Sequence, residues 1–208
     1  MPSGHTFLVF SAAALALLIV PGPSVFYLVT QSIGSGRRGG VAAMLGIQAA
    51  GLVHVVAAAV GVSAVLMSSA IAFNVVKYTG AAYLVLLGIQ RLRSGESFGE
   101  LCEGALRQPS RRLLRQGFVV NLFNPKSALF FLAVLPQFVD PARGSAWLQV
   151  LVLGGTFLAL AVVTDSAWVT ASASLARRLR TARARRVERH ASAAILIGLG
   201  VAAALQDH

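Results

Sequence analysis

The sequence predicts an all-α integral membrane protein with six transmembrane helices, and three observations support that fold class. Hydrophobic residues make up 56% of the chain and charged residues 12%, whereas a soluble domain carries roughly a quarter charged residues. Six apolar runs approach the ~20 residues that a helix needs to cross a bilayer. Basic residues concentrate between these runs. Because the runs fill residues 1–208, we expect a single membrane domain without a separate soluble part.

The predicted spans follow one another with short connections. Glycines at 34–40 predict the first turn, and residues 140–144 predict another. The first run lacks the basic flank of a signal peptide, so we interpret it as a retained span. The sixth run is short, and its span is expected to include flanking residues. The approximate bounds of the six spans are 6–30, 41–66, 75–92, 117–139, 146–173 and 191–205.

The basic residues predict the orientation of the chain. Fifteen of the 18 lie in three segments, 37–38, 91–115 and 177–189. The positive-inside rule places these segments in the cytoplasm, with both termini on the outer side of a bacterial inner membrane. The net charge of +11 does not predict a nucleic-acid partner, because no soluble module remains to carry a basic face. We interpret 177–189 as a topology anchor, with an amphipathic helix on anionic lipid as the alternative.

Proline interrupts the first and the fourth span. Pro21-Gly22-Pro23 lies in span one, and Asn124-Pro125-Lys126 lies in span four. Proline removes a backbone donor and clashes with the preceding turn of a helix. In lipid, the freed carbonyl groups must find partners inside the protein. We therefore expect both breaks to face a cavity.

The two breaks occupy equivalent places in the chain. Residues 23–28 (PSVFYL) align with residues 126–131 (KSALFF), and each broken span is the first of three. Three is an odd number, so the second half would enter the membrane in the opposite sense. The prediction is two inverted three-helix repeats, 1–92 and 117–208, joined by a cytoplasmic loop at 93–116. Broken helices at matching positions of inverted halves indicate a transport site near the midplane.

These motifs resemble those of the LysE/RhtB family of amino-acid exporters. The resemblance rests on Pro-Gly-Pro, the basic glycine-rich turn, Asn-Pro-Lys and the segment Leu135-Pro136-Gln137-Phe138, and it covers essentially the whole chain. It implies export of amino acids or close derivatives by proton-coupled antiport. Only one acidic residue lies well inside a predicted span, which favours neutral substrates of the homoserine, threonine or leucine type. The sequence leaves open whether the chain works as a monomer or as a homodimer.

Lys126 and Asp165 are the charged candidates for the site. Lys126 is predicted to attract a substrate carboxylate or to pair with an acid, and its alternative is snorkelling to the headgroups. Asp165 is the candidate for proton coupling or for binding a substrate ammonium. Its alternatives are contact with water at the end of span five and a permanent pair with Lys126. The predicted substrate-binding residues are Pro21, Gly22, Pro23, Asn124, Pro125 and Lys126.

Four further polar residues are secondary candidates: Gln48, His54, Asn121 and Gln31. The amides could bind a substrate or join helices, and the histidine could relay protons or be a satisfied core residue. Ala42, Gly46 and Ala50 recur every four positions and predict close helix packing.

Other classes of membrane protein are less well supported by the sequence. A thiol carrier would need a cysteine pair in the spans, and the single cysteine, Cys102, lies in a predicted loop. A metal-ion exporter would need several His, Asp or Cys ligands. Another small-solute exporter and a non-transporting scaffold stay open as alternatives. We expect no enzymatic activity, cofactor or bound metal, and we expect the partners to be an amino acid, protons and lipid.

Overall fold

The computed structural model describes residues 2–68 and 108–178, together with scattered single positions elsewhere. Every element within these two ranges is helical. They contain predicted spans one, two, four and five. Apart from the scattered positions, predicted spans three and six lie outside the described residues, as do the loop before Gln108 and the arginine-rich segment after Arg178. The inverted-repeat arrangement and its boundaries therefore stay predictions.

Span one is divided at the Pro-Gly-Pro motif. Helix α1 (Gly4–Ile19) begins at Ser3, whose hydroxyl accepts a hydrogen bond of 3.0 Å from the Thr6 amide. The chain becomes extended at Val20, and a new helix starts at Pro23. Proline suits the first helical position because its missing N–H would have no intrahelical partner there.

A single glycine separates spans one and two. Within the helical stretch Pro23–Ser68, Gly36 has φ 69° and ψ −176°, a conformation that glycine adopts at no steric cost. It divides the stretch into α2 (23–35) and α3 (37–68). In a straight helix, Ser32 and Gly40 would lie ~12 Å apart along the axis, because they are eight residues apart. Here they are so close that a Cβ on Gly40 would collide with the Ser32 hydroxyl. The two helices therefore fold against each other, and the turn is shorter than the predicted 34–40.

Span four starts earlier than predicted. Helix α4 (Ser110–Leu122) begins seven residues before Gly117, so the last residues of the predicted loop 93–116 are helical. Leu113 is buried here, whereas Arg111 and Arg112 are exposed. This turn is amphipathic, and a search for apolar runs excludes its arginines although the helix continues through them.

The second break follows α4 directly. The Asn124 side chain caps helix α5 (Pro125–Leu129) by accepting a 3.1 Å hydrogen bond from the Lys126 amide. A π-helical turn (Phe130–Val134) and a 3₁₀ turn (Leu135–Phe138) continue the element. Ser110–Leu122 and Pro125–Phe138 are bent by 49°. The described fold therefore contains the interruption that Asn-Pro-Lys predicts.

The remaining described elements complete span five. A 3₁₀ turn (Pro141–Arg143) precedes α6 (Ala146–Arg178). Gln149 on α6 holds this turn by accepting from the Asp140 amide at 3.1 Å and donating to the Asp140 carbonyl at 2.8 Å. The turn predicted at 140–144 is confirmed.

Two kinds of packing position the helices. One apolar cluster buries Phe10 of α1, Phe130 of the π-helical turn and Phe157 of α6. The ring centroids of Phe130 and Phe157 lie 4.8 Å apart. At the α3–α4 crossing, a Cβ on Gly46 would collide with the Leu114 carbonyl. The small-residue stripe of α3 is therefore a packing surface, as predicted.

The described helices include candidates for membrane spans. Two helical stretches contain apolar segments long enough to cross a bilayer: Pro23–Gly61, which is divided at Gly36, and Ala146–Ser172. The bent pair Ser110–Leu122 and Pro125–Phe138 makes a third if it is counted as one span.

Candidate functional site

The two helix breaks are joined by the side chain of Lys126. Its Nζ donates hydrogen bonds to the carbonyl oxygens of Val20 at 2.7 Å and Leu17 at 3.1 Å. These carbonyls lie at the C-terminal end of α1, where the helix dipole is negative and attracts a cation. Only 8% of Lys126 is exposed. The ammonium group therefore caps α1 inside the protein and does not snorkel.

Glycine at position 22 allows this approach. A Cβ on Gly22 would lie 3.3 Å from Cε and 3.4 Å from Nζ of Lys126. Pro21 and Gly22 are buried, and Pro23 is exposed. None of the three lines the cavity described below. The Pro-Gly-Pro residues thus shape the break, and Gly22 lies beside the Lys126 side chain.

Asn121 connects both breaks to the rest of the bundle. Its Oδ1 accepts hydrogen bonds from the hydroxyls of Ser24 at 2.9 Å and Ser127 at 3.0 Å. Its Nδ2 donates to the Ile47 carbonyl on α3 at 2.9 Å. Asn124 adds a 2.8 Å hydrogen bond from its Nδ2 to the Ser24 hydroxyl. This network, here called the Asn121 network, ties α2, α3, α4 and α5 together.

Asp165 lies in the buried part of α6. It is 5% exposed, and its Oδ2 accepts a 2.8 Å hydrogen bond from Nε2 of Gln48 on α3. Asp165 and Lys126 line the same cavity, but they do not form a direct ion pair in the described part of the chain. A carboxylate and an ammonium are thus held close to one cavity by separate partners.

The cavity between these groups has a volume of about 40 Å³. A buried water needs about 10–15 Å³ by the same measure, so the cavity accommodates waters and not an amino acid. The conformation described is closed around the site. The lining combines polar residues (Ser24, Gln48, Asn121, Asn124, Lys126, Ser127 and Asp165) with apolar ones (Leu17, Leu18, Val25, Ile47, Gly51, Phe131, Phe157, Leu158 and Ala161).

The structure brings together some predicted site residues and separates others. Gln48, Asn121, Asn124, Lys126 and Asp165 line the cavity, and Pro125 does not. His54 also lies outside the lining: its Nε2 is 3.1 Å from the Asn121 carbonyl oxygen, and its ring stacks on Phe131. Gln31 lines a different groove.

Sequence reasoning did not select Ser24 and Ser127, which contribute to the network. A signal for them existed, because the alignment of residues 23–28 with 126–131 places these serines opposite each other. Both donate to the same amide oxygen in the structure.

The fold and the site define a class of protein. Apolar helices interrupted by proline around a buried polar cavity are the construction of a membrane translocator. Residues 15–207 match the family model of the LysE-type translocators. The chain belongs to this family, which confirms the resemblance drawn from its motifs.

Several relatives of the chain are named efflux proteins. The chain is 37% identical to a homoserine/homoserine lactone efflux protein of Salmonella typhimurium over 163 residues, 78% of this chain and 76% of the relative. It is 29% identical to a leucine efflux protein of Enterobacter over 175 residues, 84% and 83% of the two chains. A membrane protein of Vibrio cholerae is 33% identical over 183 residues, 85% of each chain. No solved structure matches the chain significantly.

Proposed function

We propose that this chain exports neutral amino acids or close derivatives from the bacterial cytoplasm in exchange for protons. The observation that carries the proposal is the contact between two broken helices around a closed cavity that holds a lysine and an aspartate. The names of the homoserine and leucine efflux relatives support the substrate class. The proposed orientation has the arginine-rich segments in the cytoplasm and both termini outside.

The carboxylate of the substrate would be bound beside the two breaks. The first N–H groups of a helix have no intrahelical partners and carry the positive end of the dipole. Helix α2 begins at Pro23 and presents such an end near Lys126, whereas the first N–H of α5 is already capped by the Asn124 side chain. Asn124 and Ser24 would supply neutral hydrogen bonds to the same group. Lys126 contributes positive charge while it keeps α1 in place.

Asp165 would couple the substrate to protons. As a carboxylate it can hold the ammonium of an amino acid, and after taking up a proton it cannot. Protonation from the outer side would thus displace the substrate, and the protonated group would return the transporter to the cytoplasmic side. Gln48 orients the carboxylate through its 2.8 Å hydrogen bond.

The remaining lining favours a neutral side chain. Leu17, Ile47, Phe131 and Leu158 offer apolar contact. Asp165 is the only carboxylate among the described lining residues, and in this proposal it is occupied by the α-ammonium. A substrate with a second positive charge would lack a partner, and burying an unpaired charge is costly.

Uptake into inside-out membrane vesicles tests this function. The panel contains homoserine, leucine, lysine, a dipeptide and a divalent cation, each with and without a pH gradient. We expect gradient-dependent uptake of the neutral amino acids. Uptake of the divalent cation alone would support the metal-exporter alternative, and the absence of uptake for all compounds would contradict transport.

A further inference from the structure

A second, larger groove lies beside α2 and α4. It has a volume of about 1060 Å³ and is lined by Tyr27, Gln31, Gln108, Pro109, Arg111, Arg112, Arg115, Gln116, Val119 and Val120. On α2, Tyr27 is about one turn from Ser24, and Gln31 is about two turns away. On α4, Val120 adjoins Asn121. The groove therefore extends from the arginine-rich end of α4 to the edge of the Asn121 network.

Three guanidinium groups give this groove a concentrated positive charge. Arg111 and Arg112 lie in the first turn of α4 and Arg115 in the next, and all three are exposed. Guanidinium groups bind carboxylates through paired hydrogen bonds. The groove thus presents donors suited to a carboxylate.

The same groove contains buried acceptors without partners. Among the described residues, Oε1 of Gln31 and Oε1 of Gln108 have no hydrogen-bond partner, and Gln31 is only 9% exposed. Leaving a buried carbonyl oxygen unpaired is unfavourable, and such groups are rare in folded proteins. An N–H donor from a ligand would satisfy them, whereas a purely anionic ligand would not.

Tyr27 lines the groove and does not line the closed cavity. Its hydroxyl donates to the Leu113 carbonyl at 2.9 Å, and Oε1 of Gln116 lies 3.2 Å away. These contacts link α2 to α4 between the arginines and Ser24. A ligand in the groove would therefore lie outside the cavity and next to it.

We propose that this groove is a first binding site for the zwitterionic amino acid, with the carboxylate on the arginines and the ammonium on the Gln31 and Gln108 oxygens once these amide groups rotate to face the groove. This inference rests on the proposed function and adds a second site to it. Seven of the ten lining residues are polar, which suits a small solute better than an acyl chain. An ethanolamine phospholipid headgroup shares the chemistry of an anion beside an ammonium, and the experiment distinguishes the two.

The test compares two substrates in inside-out vesicles. Homoserine has a free carboxylate, and homoserine lactone keeps the ammonium without it. Arg115→Gln is expected to raise the half-saturating homoserine concentration about five- to tenfold, the size of one lost charge-assisted hydrogen bond, with little effect on the lactone. Gln31→Met is expected to raise the half-saturating concentration of both homoserine and the lactone. Arg38→Gln is the matched control, because Arg38 is an exposed arginine outside the groove lining.

A binding measurement separates this inference from the transport proposal. Homoserine should raise the melting temperature of the purified wild type and raise it less in Arg115→Gln. If this difference is present while vesicles transport nothing, the groove is supported as a binding site and the transport proposal fails. If Arg115→Gln and Gln31→Met both keep the wild-type half-saturating concentration and the wild-type rise in melting temperature, the groove is not a substrate-binding site.

The lipid composition provides the last arm. Reconstitution without ethanolamine phospholipid should leave the Arg115→Gln effect intact. If that effect disappears in these vesicles, the groove binds the lipid headgroup and the proposal is overturned. An equal effect of Arg38→Gln would attribute it to surface charge and would overturn the proposal as well.

Discussion

Replacing Lys126 with methionine isolates the charge that joins the two breaks. Methionine keeps a long flexible side chain of similar shape but cannot donate a hydrogen bond. The substitution removes the bonds from Nζ to the carbonyls of Val20 and Leu17. The end of α1 then loses its cation, and α5 loses its direct link to α1.

The expected change in stability is small because two terms oppose each other. Hydrogen bonds to charged groups contribute about 1.5–3 kcal/mol each, so losing two costs roughly 3–6 kcal/mol. A charge within a membrane span costs about 2.5–3.5 kcal/mol on insertion scales, and methionine avoids this cost. The difference is a net loss of roughly 0–3 kcal/mol. Lys126→Met should therefore insert and fold.

Transport, in contrast, should be lost. Without Lys126, the cavity keeps Asp165 and loses the only cation among its described lining residues, so a substrate carboxylate would be held by helix-terminal N–H groups and neutral side chains alone. We expect export of homoserine to fall below a tenth of the wild-type rate per folded molecule, because one missing charge-assisted contact changes binding by about tenfold or more. Folded protein is quantified by size-exclusion chromatography and thermal unfolding in detergent.

Gln149→Met is the matched control for this experiment. Gln149 is 1% exposed and makes hydrogen bonds to Asp140 and Gly144, away from the cavity. Its loss removes buried hydrogen bonds with the same replacement residue, and transport per folded molecule should persist. Wild-type export by Lys126→Met would refute a site role for the lysine. Equal loss in both variants would show that the assay reports on stability alone.

Three other predictions test separate parts of the structure. Asp165→Asn should abolish gradient-driven uptake while preserving insertion, because a neutral amide holds the substrate ammonium no better than protonated Asp165 does; a full response to the gradient in this variant would exclude the carboxylate from coupling. Gly46→Ala should destabilise the helix crossing by about 1–3 kcal/mol or more through overpacking, measured as a lower melting temperature, whereas Gly155→Ala has open space around it and should not. Ser24→Ala and Ser127→Ala should each reduce transport, and the double variant should lose less than the two effects combined, because both hydroxyls use one acceptor; strict additivity would contradict a shared role.

The sequence predicts much of this fold because the membrane restricts the possible structures. Apolar length identified the spans that the described residues contain, and the proline motifs identified both breaks. The start of α4 was missed because Arg111 and Arg112 extend the helix with exposed, charged residues. Hydropathy measures how apolar a segment is, and it cannot tell where a helix stops once its side chains reach water or headgroups.

The candidate site was harder to predict than the breaks. The lysine and aspartate were visible because charge is rare in a span, and both line the cavity. Which partner each one uses depends on distances between helices, which one sequence does not contain. The carbonyls of α1 accept from Lys126, and Gly22 leaves room for its side chain. Backbone acceptors have no residue-type signature, so sequence reasoning considered a pair with Asp165 instead.

The strengths of these contacts suggest how the cavity opens. The bonds from Lys126 to α1 are charge-assisted, and the bonds from Ser24 and Ser127 to Asn121 are neutral. A neutral hydrogen bond contributes roughly 0.5–1.5 kcal/mol net, about half of a charged one. Hydroxyls and amides of a substrate can replace such bonds at little cost. We therefore expect the helices to separate first along the serine side, where α2 and α4 meet, while Lys126 keeps α1 and α5 together.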